Sequence, residues 1–283
     1  MKKILIIAEA GINHNGDIKK AIEMIKIAKE SGADIIKFQT AIPELLSSKQ
    51  AKISKYQKNF QKTNSSQLQM LKRLCLPLSD FKILKKECNK YNIEFLSTAF
   101  DNKSLEYLNL LKPKRFKIPS GEITNLPFIK KIINYRKKII LSTGMSTLNE
   151  INKIMNIFIK EKYNLKNLTL LQCTSSYPTK MEDVNLNAIK FLRDKFKVNI
   201  GLSDHSKGIE VPIAAAALGA TIIEKHFTIS RKLSGPDHKS SLEPKELVKM
   251  ISSIRNIEIA MGKTTKIPSY SEKENINIAR KSI

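Results

Sequence analysis

The residues with the greatest chemical capacity gather in one stretch, 201–238, which reads GLSDHSKGIEVPIAAAALGATIIEKHFTISRKLSGPDH. Three of the four histidines, His205, His226 and His238, lie in it, with the carboxylates Asp204, Glu224 and Asp237 close by. His205 and His226 each follow a short β-branched or apolar run (VNIGLS and ATIIE), and an alanine-rich helical segment separates the runs. If both runs are parallel strands of one sheet, the two imidazoles emerge side by side at the same edge. Paired imidazoles with carboxylates nearby can hold a divalent metal. The plainer reading is two unrelated, hydrogen-bonded histidines near a core, and spacing alone leaves both open.

Elements able to position such a pair recur along the chain. Apolar β-like runs at 4–8, 34–39, 93–97, 115–118, 138–142, 168–172, 198–202 and 221–224 alternate with amphipathic helical patterns. Asp17 is a good N-cap for a helix over 17–31, and Thr147 with Glu150 forms a capping-box pattern. Further helices are predicted over 65–74, 79–91 (capped by Ser79), 103–111, 126–134, 186–195, 209–218 and 244–261. Eight strands with helical crossovers imply a parallel sheet, closed as a (β/α)8 TIM barrel spanning 1–262. An open doubly wound sheet would normally carry a glycine-rich dinucleotide fingerprint after its first strand, and GINHNG lacks the GxGxxG spacing. The polar excursion 41–64 is too long for a plain connector, which predicts an active-site loop or a lid. Residues 263–283 contain Pro268 and many charges without a period of their own, and read as a linker.

In such a barrel the reacting groups stand at the C-terminal strand ends. Those ends carry Glu9; Lys37 and Gln39; Thr98; Lys117, Ser120 and Glu122; Ser142 and Thr143; Thr174 and Ser175; Ser203 and His205; Glu224 and His226. A lysine within an apolar strand is costly to desolvate unless an anion meets it. Lys37 and Lys117, with several hydroxyls on the same rim, suit a phosphate or carboxylate ligand. The alternative is that each lysine simply pairs with a rim carboxylate such as Glu9 or Glu122. His14, in its Asn/Gly loop, reads as a loop-ordering residue, Cys173 as a small buried hydrophobe, and Tyr177 as a wall or positioning group.

Composition narrows the classes. The formal charge of +24 admits a polyanion partner, but only seven of the 50 basic residues are Arg and the lysines are dispersed, which argues against nucleic acid. No apolar run is long enough to span a membrane. MKKILIIAEAGINHNG meets Glu9 too early for a secretory signal and reads as a first strand. Three cysteines without CxxC spacing point to a reducing cytoplasm.

These residues also carry a resemblance. AEAGINHNGD, GADIIKFQT, FLSTAFD, KIPSGEITNLP, ILSTGMST, EDVNLNAI, GLSDHSKGI, IEKHFT and SGPDHKSSLEP are similar, in order, to the motifs of the N-acetylneuraminate (sialic acid) synthase family. The resemblance extends to the final ARKSI and favours the sialic and legionaminic branches over the pseudaminic one. It implies a metal-dependent condensation of phosphoenolpyruvate with N-acetylmannosamine and water, giving N-acetylneuraminate and phosphate. The alternative is a legionaminic acid synthase acting on the 6-deoxy diacetamido analogue of that sugar. By the resemblance, His205 and His226 hold the metal, commonly Mn2+ (Mg2+ or Co2+ as alternatives). Lys37, Thr98, Lys117, Ser120 and Ser203 grip phosphoenolpyruvate, with Lys117 also counted catalytic, and Gln39, Glu122, Tyr177 and Asp237 contact the acceptor. Glu9 or Glu224 is then expected to orient the water or to stabilise positive charge at C2. Ser175 departs from the asparagine often found in the phosphoenolpyruvate site. Family members also continue past ARKSI into an antifreeze-like domain that lends an arginine to the partner barrel of a homodimer. A chain ending at Ile283 therefore leaves open a truncated barrel that binds substrate without efficient turnover.

Overall fold

A computed structural model of the chain describes residues 3–48, 51 and 66–281. β1 (Leu5–Gly11), β2 (Ile35–Thr40), β3 (Glu94–Ala99), β4 (Arg115–Ile118), β5 (Lys138–Ser142), β6 (Leu168–Cys173), β7 (Asn199–Asp204) and β8 (Ile222–His226) pair in parallel in chain order. β8 returns to β1, with Glu9 opposite His226, so the sheet is a closed (β/α)8 barrel, as predicted.

The strands alternate between two cores. One face packs outward against the helices, where Phe38, Phe81, Phe158 and Phe227 are wholly buried. The other face points into the barrel, where Ile7, Ile35, Leu96, Ile140, Leu171 and Ile222 form a compact apolar layer. Side chains two positions apart share a face. Each of these six residues is therefore followed, one layer higher, by Glu9, Lys37, Thr98, Ser142, Cys173 and Glu224. β4 and β7 complete that upper layer with Lys117 and Ser203. At the lower level β7 has Gly201, where a Cβ would lie 2.6 Å from Leu171 Cδ2 and 2.4 Å from the Ile222 carbonyl. The apolar layer seals the barrel floor, and the next layer up carries ionisable and hydroxyl side chains.

Local signals account for most helix starts. The Asp17 carboxylate accepts from the Lys19 and Lys20 amides at the head of Ile18–Glu30, and Thr147 and Glu150 form a capping box on Leu148–Lys160. Three expectations change. The helix expected to be capped by Ser79 begins at Leu78 after Pro77, without a side-chain cap. The helix expected from residue 65 starts at Gln67, capped reciprocally by Ser66 and Gln69. Within the stretch read as a linker, Tyr270–Ala279 is helical, opened by a Ser269–Glu272 capping box. It buries no residue, so it has no apolar stripe to betray it in the sequence. Of the excursion 41–64, Pro43–Leu46 forms a short helix, while 49–50 and 52–64 lie outside the described residues, and with them the expected lid. Among the described residues no helix is long and apolar enough to cross a membrane.

Candidate active site

A cavity of about 520 Å3 opens at the C-terminal ends of the strands, directly above the apolar layer. Its floor is a chain of alternating charges. Lys37 Nζ lies 3.0 Å from Glu9 Oε2 and 3.5 Å from Glu224 Oε2, and Lys117 Nζ lies 3.5 Å from Glu224 Oε1. All four residues are at most 5% exposed. Both suggested origins of the rim lysines thus meet: each lysine is paired with a carboxylate, yet both face one cavity. The carboxylate partners are Glu9 and Glu224; Glu122 is not one of them.

Hydroxyls complete the floor. Lys37 donates to Thr98 Oγ1 (3.2 Å), Lys117 to Ser142 Oγ (2.7 Å) and Ser203 to Glu224 Oε1 (2.9 Å). Glu9 Oε2 and Glu224 Oε2 are buried without a hydrogen-bond donor, although both lie within ion-pair range of Lys37. They stand ready to accept from a bound water or ligand.

Burial pushes the Glu9 carboxyl up to about 7, with Lys37 opposing and the Glu224 charge adding to the rise. Burial acts on Glu224 in the same sense, but Lys117, Lys37 and the Ser203 hydroxyl outweigh it and hold the group down to about 2. Burial also drives Lys117 down, whereas for Lys37 the attraction of Glu224 and Glu9 overcomes desolvation and raises it.

On the wall beside this floor the ring centroids of His205 and His226 are 5.6 Å apart. His205 Nδ1 is 2.8 Å from the Thr174 carbonyl, which makes that nitrogen the donor, so that in the neutral ring Nε2 carries the lone pair. Metal-binding imidazoles commonly anchor their second nitrogen in this way. His226 Nδ1 is buried without any hydrogen-bond partner, and burial together with the nearby charge of His205 holds the ring well below the usual histidine range, hence neutral. His205 is raised: burial opposes its charge, but the Cys173 thiol (3.9 Å) and the Thr174 carbonyl favour it. The pair fits a divalent ion. No grouping of three or more His, Cys, Asp or Glu side chains is placed to hold one among the described residues, so these two imidazoles would leave several coordination positions to water or substrate.

Among the residues singled out in the sequence, Gln39, Ser120, Ser175 and Tyr177 also line the cavity. The Tyr177 ring packs 4.2 Å from that of His205. Gly144, Ser120 and Ser175 form a narrow cradle. The Gly144 amide donates to Ser120 Oγ (2.9 Å), and a Cβ on Gly144 would stand 2.3 Å from Ser175 Oγ. Glu122 and Asp237 are not part of the cavity wall. Glu122 accepts from Asn125 at the head of Leu126–Asn134, and Asp237 is 6% exposed, its carboxyl pushed by burial to about 6.

His14 and His238 also stand apart, and Thr228 and Asn15 hold His238. Phe100, Met145 and Ser176 line the cavity without having been singled out; their positions just past strand ends were the available signal. Cys173 is buried as expected, but it is also a wall residue, with its sulfur toward His205.

Comparison with known proteins bears on this arrangement. The NeuB family profile matches residues 24–266. An N,N'-diacetyllegionaminic acid synthase of Campylobacter jejuni is 52% identical over the whole chain, covering 85% of that protein, and one of Legionella pneumophila is 44% identical over 98% of the chain and 79% of the relative. The crystal structure of an N-acetylneuraminic acid (sialic acid) synthetase from Leptospira borgpetersenii, in complex with citrate, superposes with a TM-score of 0.85 at 37% identity, covering 98% of this chain and 91% of that one.

Proposed function

The chain belongs to the NeuB family of sialic acid-type synthases, and on that premise we propose that it condenses phosphoenolpyruvate with the 6-deoxy diacetamido analogue of N-acetylmannosamine, releasing N,N'-diacetyllegionaminate and phosphate. The higher identity to legionaminic acid synthases than to the sialic acid synthetase supports this acceptor over N-acetylmannosamine, the first expectation from the sequence.

The observation that carries the reaction class is the buried charge chain Glu9–Lys37–Glu224–Lys117 beside the two imidazoles. Lys37 and Lys117 meet the phosphate and carboxylate of phosphoenolpyruvate, Thr98, Ser120, Ser142 and Ser175 donate around them, and Ser203 lies beside them, holding Glu224. Held in this way, C3 of the enol faces the acceptor aldehyde in a near-attack geometry. His205 and His226 would hold a divalent ion, Mn2+ foremost, which when bound would supply Lewis acidity to the acceptor aldehyde. As the new C–C bond forms, positive charge grows at C2. Glu224, fixed between the two lysines, lies where a negative charge stabilises it. Glu9, with one oxygen lacking a donor, accepts a hydrogen bond from the water that adds to C2 before the C–O bond to phosphate breaks. Gln39 and Tyr177 flank the acceptor side.

Phosphate release, measured with Mn2+, phosphoenolpyruvate and each acceptor in turn, tests this reading. Faster turnover of the diacetamido sugar supports it. Preference for N-acetylmannosamine returns the chain to the sialic branch, and release of pyruvate-derived product without phosphate excludes a synthase.

A further inference from the structure

The chemistry above leaves one fully buried charged cluster unused. Lys225 and Asp204 are 1% and 4% exposed. Each immediately precedes one of the two imidazoles in the chain, Asp204 before His205 and Lys225 before His226. In the β7–β8 register, Ser203 lies opposite Glu224 and Asp204 opposite Lys225. The first pair faces the cavity, so by strand alternation the second faces the opposite side of the sheet, behind it.

The cluster grips both flanks of His205. Lys225 Nζ bonds Asp204 Oδ2 (2.5 Å) and the Ser206 carbonyl (2.6 Å). Asp204 in turn accepts from the Ser206 amide (2.9 Å) and the Ser206 hydroxyl (3.0 Å). The backbone on either side of His205 is thus tied, through one ammonium, to the residue next to His226. Stability alone is a poor reason for such a cluster, since well-packed apolar replacements of a buried ion pair are often neutral or stabilising. Geometry is a better one. Two imidazoles from different strands can share an ion only if their separation is fixed, and this cluster ties the two strands beside the rings.

Resting on the reading of His205 and His226 as metal ligands, we propose that the Lys225–Asp204–Ser206 cluster is a positioning clamp that sets the spacing of the two imidazoles for a divalent cation.

The test is Mn2+ titration of the full chain by electron paramagnetic resonance, with phosphoenolpyruvate affinity measured by calorimetry on the same samples. Asp204→Asn and the double replacement Asp204→Leu with Lys225→Met are the variants, and His205→Ala and His226→Ala the controls. The clamp predicts Mn2+ binding weakened roughly tenfold or more in both clamp variants, with phosphoenolpyruvate affinity, carried mainly by Lys37 on β2 and Lys117 on β4, retained. Wild-type Mn2+ affinity in the folded double variant overturns the clamp alone, and so does a parallel loss of phosphoenolpyruvate binding, which marks general disruption. If the double variant does not fold, Asp204→Asn decides by the same criteria. Mn2+ affinity indifferent to the two histidine replacements removes the metal site itself, and the clamp with it.

Discussion

Lys37 Nζ stands 3.0 Å from Glu9 Oε2 at the cavity floor, with both residues almost wholly withdrawn from solvent. Neither charge is tolerable there alone. Lys37→Met strands the Glu9 carboxylate, while Glu224 keeps Lys117, and is expected to cost about 3–5 kcal/mol of stability. Adding Glu9→Gln removes that stranded charge, so the double variant should regain much of that loss while still failing to bind phosphoenolpyruvate. Thermal unfolding and calorimetric titration of the three variants separate charge balance from ligand binding.

Glu9→Gln alone keeps the shape of the floor and the Gln39 neighbour. A fall in kcat of about 100-fold or more, with little change in melting temperature, is expected of a group that handles the water. Unchanged phosphate release would transfer that role to Glu224.

Gly144 lies outside the left-handed backbone region, so alanine is compatible with its conformation. The added methyl, however, enters the cradle between Ser120 and Ser175. Gly144→Ala should fold normally and raise the KM for phosphoenolpyruvate well beyond tenfold, with the acceptor KM much less affected. Steady-state kinetics with each substrate varied in turn will show the split.

His14 and His238 supply a pH dependence of stability. Burial lowers both from 6.5 to about 4, so the folded state prefers them neutral. Their contribution is complete above pH 6.5 and is lost as pH falls from 6.5 towards 4, on the order of 3 kcal/mol for His14 and less for His238. Melting temperature should therefore drop on the acid side of 6.5, and His14→Gln should flatten part of that slope.

A chelator should abolish phosphate release, with Mn2+ restoring it to the wild-type protein and not to His226→Ala. Release that persists after exhaustive chelation would exclude a metal role.

Strand starts were legible in the sequence within about a residue, whereas several strand ends were not. β1, β7 and β8 run on to Gly11, Asp204 and His226, two or three residues past their apolar runs. Those extra residues bring Glu9, Asp204 and His226 into the sheet, because a polar side chain that does chemistry ends the hydrophobic pattern before the ladder ends. The two lysines of the candidate site were readable for the same reason: lysine at positions 37 and 117 interrupts an apolar strand at visible cost. The Lys225–Asp204 clamp was not readable, since its two members lie on different strands and only the β7–β8 register makes them partners. The acceptor role of Glu122 and Asp237 came from the resemblance, and a motif does not report which way a loop side chain turns.

The barrel closes by joining its first strand to its last. β1 pairs with β8, and Asn13 bonds the carbonyl of Phe227, 214 positions away, and the hydroxyl of Ser241, 228 positions away. Contacts of such separation form late, because their loop entropy is offset only once the intervening strands are in place. A chain that has folded its first four strands therefore holds both lysines but neither Glu224 nor the imidazole pair, and its candidate site is incomplete. Activity regained on refolding should lag behind secondary structure, so catalysis itself becomes the clock for the last step of folding.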